Sequence, residues 1–102
     1  MTNPKLNEKQ RKFLKGLSHD RNVIVQTGAN GLTEAVMKEV DAALTAHELV
    51  KVKVLAGDRD ERARMVERIC DEMDALLIQR IGHVATFFRR NPDKPKIELP
   101  KK

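Results

Sequence analysis

Between residues 23 and 34 the chain passes from a β-branched apolar run, Val23-Ile24-Val25, through Gly28-Ala29-Asn30-Gly31, into a segment of helical periodicity that begins at Glu34. A strand that turns through glycines into a helix points the helix N-terminus at the turn, and the three together make a phosphate site. Glycines let another backbone approach closely, successive N–H groups of such a turn point outward, and the helix start carries partial positive charge. The stretch therefore predicts a site for an anionic backbone.

Spacing narrows the choice of anion. A Walker loop would be longer and end in Gly-Lys-Ser/Thr, and a dinucleotide fingerprint would hold three glycines; neither is present. A four-residue Gly-x-x-Gly turn is the kind that clamps single-stranded RNA in KH modules. The competing explanation is a strand-to-helix turn that needs glycine only for a positive φ.

The 102 residues, 40% of them apolar, suffice for one core and not two, so a single domain is expected. We place it at residues 7–90, between an N-terminal extension, 1–6, and a basic, proline-containing tail, 91–102. No apolar run approaches a membrane span and the N-terminus lacks the apolar centre of a signal peptide, so a soluble, cytoplasmic chain is expected, with no membrane partner. The single cysteine, Cys70, cannot form an internal disulfide, and Ile69 and Met73 beside it suggest a buried thiol.

The net charge of +5 is concentrated at the ends. Residues 1–21 hold six Lys or Arg against Glu8 and Asp20, residues 89–102 hold six against Asp93 and Glu98, and the middle is slightly acidic. Basic ends on an acidic body suit a polyanion footprint, although solvated tails would give the same count.

Asn7 with Gln10 predicts a capped helix over Glu8 to Ser18, with Phe13, Leu14 and Leu17 as its apolar stripe and Arg11, Lys12 and Lys15 on the side away from it. Val23-Ile24-Val25 has the composition of a strand buried on both faces. Thr33 is the expected N-cap of a second helix, with Leu32 and Met37 as a hydrophobic staple and Val36, Val40, Ala43 and Leu44 facing inward. His47 is placed to close it. Leu49-Val50-Lys51-Val52-Lys53-Val54 alternates, which puts one face on the core and Lys51 and Lys53 on the open face. Asp58 with Glu61 caps a third helix whose Met65, Val66, Ile69 and Met73 face inward, while Arg62, Arg64 and Arg68 lie among acids as salt-paired surface. Leu76-Leu77-Ile78 and Val84 to Phe88 flank Gly82-His83 as a hairpin, and the prolines after Arg90 bar helix or inner strand from the tail. The expected fold is a compact two-layer α/β domain of order α-β-α-β-α-β-β with a four-stranded mixed sheet.

Four stretches in this order and spacing, Leu14-Lys15-Gly16-Leu17-Ser18-His19, Gly28-Ala29-Asn30-Gly31-Leu32-Thr33-Glu34, His47-Glu48-Leu49-Val50-Lys51-Val52-Lys53 and Ile81-Gly82-His83-Val84, resemble the CRM domain in its short bacterial YhbY form. The resemblance covers nearly all of residues 6 to 99. It implies a fold similar to the C-terminal domain of a translation initiation factor, RNA binding through the Gly-x-x-Gly loop and a basic surface, and an association with precursors of the large ribosomal subunit. Gly28 and Gly31 match the family's loop glycines; Ala29 and Asn30 fill its variable positions without the Lys or Arg of many KH loops. Charge would come from Lys12, Lys15, Arg89 and Arg90. Phe87-Phe88-Arg89 stands where an aliphatic-tyrosine-arginine ending is usual.

His19, His47 and His83 are dispersed, and no nucleophile–base spacing is recognisable, so no metal, no cofactor and no catalytic residue is expected. With Phe13 assigned to the core and at most one of Phe87 and Phe88 facing outward, an aromatic stacking platform is absent, and contacts should go to phosphate and sugar. The sequence reading is a monomeric, non-enzymatic protein that binds ribosomal RNA and assists large-subunit assembly. An adaptor that uses the open sheet face to hold an assembly factor or ribosomal protein is the alternative; DNA binding lacks a basic recognition helix.

Overall fold

The computed structural model describes residues 6–28 and 30–101. Seven elements follow in the expected order: α1 (Glu8–Ser18), β1 (Val23–Gln26), α2 (Glu34–His47), β2 (Leu49–Lys53), α3 (Arg59–Met73), β3 (Leu76–Ile81) and β4 (Val84–Phe88). Local chemistry sets the helix starts. The Asn7 side chain accepts the Gln10 N–H at 2.8 Å while Gln10 Oε1 accepts the Asn7 N–H at 3.0 Å, a complete capping box. Thr33 Oγ1 accepts from Val36 N at 3.2 Å and Asp58 Oδ1 from Glu61 N at 2.8 Å, so the other two helices begin at their predicted caps.

The sheet order is β1-β2-β4-β3, with β1 parallel to β2 and the other pairs antiparallel. β1 is thus an edge strand, and the expectation that it is buried on both faces is corrected: Val25 is buried, whereas Val23 and Ile24 are 38% and 49% exposed. An apolar β-branched run has the same composition at an edge as in the middle of a sheet. Here only one face of β1 lies under a helix.

The two sheet faces carry separate cores. On one, Met37, Val40 and Leu44 of α2 and Val66 and Ile69 of α3 pack on Val25, Val50, Val52, Ala85 and Phe87. On the other, Leu14 of α1 packs with Leu6, Leu49, Ile78 and Phe88, and Ile97 and Leu99 of the tail cover the cluster. Two layers describe the sheet where β1 ends; at its opposite end α1 and the tail add a third. Neither Phe87 nor Phe88 faces outward, because both faces of β4 are covered there; each is at most 1% exposed. Phe13, expected in the core, is 38% exposed, whereas Leu14 beside it is fully buried. Arg11, expected on the outer side of α1, turns to the sheet and donates from Nη1 to the Leu77 carbonyl at 3.1 Å. It stands three residues before Leu14 and seven before Ser18, on the buried side of the helix.

The tail forms neither helix nor strand, yet it is anchored. Glu48, with no exposed surface, accepts the Lys96 and Ile97 N–H groups at Oε1, both at 2.8 Å, and the Asn91 N–H at Oε2, at 2.6 Å. His47 is the last residue of α2, as expected, and Glu48 is its C-cap, at φ 64°.

Candidate nucleic-acid interface

The Gly-x-x-Gly turn sits where β1 gives way to α2, and it is held from below by a residue the sequence did not single out. Thr27 is fully buried; its N–H donates to the Lys53 carbonyl at 3.0 Å, and its hydroxyl accepts the Leu55 N–H at 2.8 Å and faces the Leu55 carbonyl at 3.3 Å. The turn is thereby fastened to the end of β2. Above that anchor, Gly31 N donates to Gly28 O at 3.0 Å, closing a four-residue turn, and Thr33 N donates to Gly31 O at 3.0 Å on the way into the helix.

The two glycines have different duties. Gly31 lies at φ 72°, where a side chain is strained. Gly28 has no such φ, and a Cβ added to it would meet nothing within 4 Å. Its openness leaves the main chain accessible from outside. Asn30 is exposed beside it, and Ala29 lies outside the described residues. At the start of α2, Thr33 takes the Val36 N–H, and the N–H groups of Glu34 and Ala35, both exposed residues, have no intrahelical acceptor. The Glu34 carboxylate points an opposing charge into this region, with Lys38 at 3.7 Å from it and both side chains largely in solvent.

The cations expected around the loop divide into two groups. Lys53 and Lys51 stand in register opposite Val84 and Thr86 on the open sheet face, and because β2 ends beside Thr27 they lead away from the loop in steps of about 7 Å. Lys51 Nζ donates to the Arg21 carbonyl at 3.2 Å, a neutral acceptor, so its charge is not cancelled. Lys12 and Lys15 are exposed on α1, which covers the far end of the same face. Arg89 belongs to the other group. Nη1 meets Asp41 Oδ1 at 2.8 Å and the Met73 carbonyl at 3.1 Å, while Nη2 donates to the Asp41 carbonyl and the Thr45 hydroxyl at 3.0 and 2.9 Å. Its guanidinium ties α2 to the end of α3 and has little left to offer a ligand. Arg90 is exposed on the following residue.

Burial raises the Cys70 thiol above its ordinary pKa, and the nearby charges of Asp71 and Glu67 add to the shift. It is half-buried. Among the described residues no three His, Cys, Asp or Glu gather as metal ligands would, and no helix is long and apolar enough to cross a membrane.

The fold is a small α/β domain with a strand–glycine turn–helix corner beside a lysine-bearing sheet face. The CRS1 / YhbY (CRM) domain model matches residues 6–89, and the chain belongs to that family. It is 44% identical over 97 residues to an "RNA-binding protein" of Haemophilus influenzae, covering 95% of this chain and 97% of that one. It is 37% identical over 94 residues to a "probable RNA-binding protein" of Pseudomonas aeruginosa, covering 92% and 89% respectively. The solution structure of a Staphylococcus aureus protein superposes with a TM-score of 0.79 at 32% identity, over 94% of this chain and all of that one.

Proposed function

We propose that this protein is a non-enzymatic RNA-binding protein that engages ribosomal RNA through the Gly28–Gly31 loop and the adjoining basic surface, and that it assists assembly of the large ribosomal subunit. The observation that carries the reading is the open main chain at Gly28, held on the Thr27 anchor at the start of α2 with Lys53 next to it. Backbone donors and a helix start favour phosphate, and the lysines supply the long-range attraction. Family membership and the names of the relatives support RNA as the ligand. The contacting residues in this reading are Gly28, Ala29, Asn30, Gly31, Lys12, Lys15, Lys51, Lys53 and Arg90. Arg89 and Arg11 act by holding the fold.

A small domain whose contacts run mainly to backbone should recognise folded RNA by shape, and precursor ribosomal RNA presents such shapes. The test is a gradient profile of tagged protein from cells in which assembly is slowed, followed by crosslinking and sequencing of the bound RNA. Co-sedimentation with large-subunit precursors and enrichment of one ribosomal RNA region is the expected result. Signal confined to the small subunit, or to free protein in low salt, would refute the assembly role.

A further inference from the structure

The open sheet face holds a cleft of about 380 Å³ that none of the described loop residues lines. His19 and Arg21 come from the α1–β1 turn, Val23 from β1, Lys51 from β2, Thr86 and Val84 from β4 and Gln79 from β3. The strand register sets Val23, Lys51, Thr86 and Gln79 in one row across all four strands. Among the described residues no carboxylate side chain lines the cleft. Arg21 Nη1 donates to the Leu49 carbonyl at 3.0 Å and Lys51 to the Arg21 carbonyl, so both cations are oriented by neutral main chain and keep their charge.

Thr86 is the informative residue. It is 1% exposed, and its hydroxyl has no hydrogen-bond partner among the described residues, although every fully enclosed side-chain polar atom there has one. The hydroxyl is therefore not fully enclosed, and the little surface Thr86 keeps lies where the residue lines the cleft. A buried hydroxyl without a partner is costly unless something outside the fold satisfies it. The Gln79 amide, next to it in register and half-buried, also has no side-chain hydrogen bond among the described residues. A hydroxyl and an amide can read the edge of a base, Val23, Val84 and the largely exposed Ile81 offer an apolar wall for its face, and Lys51 and Arg21 stand ready for its phosphate.

We propose that this cleft is a seat for one unpaired nucleotide of the bound RNA, with the base against Thr86 and Gln79 and the phosphate at Lys51 and Arg21. The inference rests on RNA being the ligand, and it adds a base-reading site to a surface otherwise suited to backbone. Lys53, one step from Lys51 along β2 and adjoining the Thr27 anchor, connects the seat to the loop, so one strand can occupy both. The volume suits one nucleotide, at the lower end of small-ligand sites.

The test uses the isotope-labelled full chain, titrated in turn with inorganic phosphate, with each nucleoside 5′-monophosphate, and with an RNA hairpin carrying or lacking a single unpaired nucleotide. The four monophosphates should shift Val23, Gln79, Val84 and Thr86 with dissociation constants of about millimolar, and within the cleft phosphate should move Lys51 and Arg21 but not those four. The hairpin with the unpaired nucleotide should shift Val23, Gln79 and Thr86 as well as the loop and the lysines, its fully paired counterpart the loop and the lysines without those three. Thr86→Val and Gln79→Leu, which suit a strand, should each weaken the bulged hairpin about tenfold toward the level of the paired one; Thr86→Ser should keep most of the affinity. Loop shifts with a silent cleft would overturn the seat while leaving RNA binding intact. Cleft shifts with free nucleotides but never with RNA would make it a free-nucleotide site and overturn the assignment. Concentration-dependent broadening at Val23 and Ile81 without any ligand would show that a second copy covers this face, and would overturn it as well. RNA that shifts neither region would instead remove the reading on which the inference rests.

Discussion

Glu48 Oε1 accepts the main-chain N–H of Ile97 at 2.8 Å, joining the end of α2 to a residue 49 positions later in the chain. The same carboxylate takes the Lys96 and Asn91 N–H groups, so a single buried side chain replaces the secondary structure that the tail's prolines forbid. With the tail in place, Ile97 and Leu99 close the core beneath α1. Glu48→Ala should leave three N–H groups without their acceptor and destabilise the protein by roughly 3–5 kcal/mol. Glu48→Gln keeps one carbonyl oxygen and should cost about 1–2 kcal/mol. Urea unfolding measures both, and hydrogen exchange at Asn91, Lys96 and Ile97 should speed up ahead of the strands.

The loop glycines should separate folding from binding. Gly31 is at φ 72° with the Met65 methyl only 3.8 Å from where a Cβ would lie, so Gly31→Ala should cost about 1–2 kcal/mol, mainly in backbone strain. Gly28→Ala meets open space and should change stability by less than about 0.5 kcal/mol. If RNA backbone approaches this turn, Gly28→Ala should nevertheless weaken binding, and Gly31→Asp should weaken it further by placing a negative charge beside phosphate. Thermal melts paired with filter binding distinguish the two effects. Normal RNA affinity in a folded Gly31→Asp protein would dismiss the loop as the clamp.

The helix caps were legible because Asn7–Gln10, Thr33 and Asp58–Glu61 act within three residues of themselves, and the hairpin because Gly82, at φ 58°, stands at its turn. Relations across the chain were not. Val23 and Ile24 read as inner strand because composition carries no trace of the order β1-β2-β4-β3. Phe13 read as core because it adjoins Leu14, although a 100° step was enough to leave it half in solvent. Arg89 counted toward a basic end because Asp41, its ion-pair partner, lies 48 residues earlier in the chain. Thr27 offered no sequence pattern at all; its role depends on β2 ending beside it. The site was thus readable as a glycine turn with nearby charge, while the anchor beneath it and the cleft beside it required the sheet order.

Cys70 should be a slow nucleophile. Only the thiolate reacts, and burial, then Asp71, then Glu67 keep the proton on sulfur against a weaker opposing hydrogen bond from the Leu77 main chain. The alkylation rate of the folded protein should therefore climb at higher pH than that of the urea-unfolded chain. Linkage gives the sign for stability: the raised thiol pKa supports the fold fully below the unfolded thiol's pKa, and that support is lost as pH rises through the folded value. A pH–rate profile in each state separates the shift from mere inaccessibility, which would lower the rate at every pH without moving the midpoint.

Charge should sort into two kinds when RNA binding is measured against salt. Lys12 and Lys15 are exposed, and among the described residues Lys51 and Lys53 form no ion pair, so each can neutralise a phosphate. Each lost contact to single-stranded RNA should flatten the slope of log K against log salt by about 0.7. The fourfold Gln variant should thus flatten it by up to about 3 while keeping the fold. Arg89 has the opposite expectation. Its side chain is only 20% exposed, enclosed by contacts to Asp41, Met73 and Thr45. Arg89→Gln should cost about 2–3 kcal/mol in stability, through charge-assisted hydrogen bonds, and leave the salt slope where it was. Asp41→Asn, whose side chain is 59% exposed, should cost below about 1 kcal/mol. An unchanged slope in the fourfold lysine variant would show those cations to be solvated surface, and a flattened slope in a folded Arg89→Gln protein would return Arg89 to the interface.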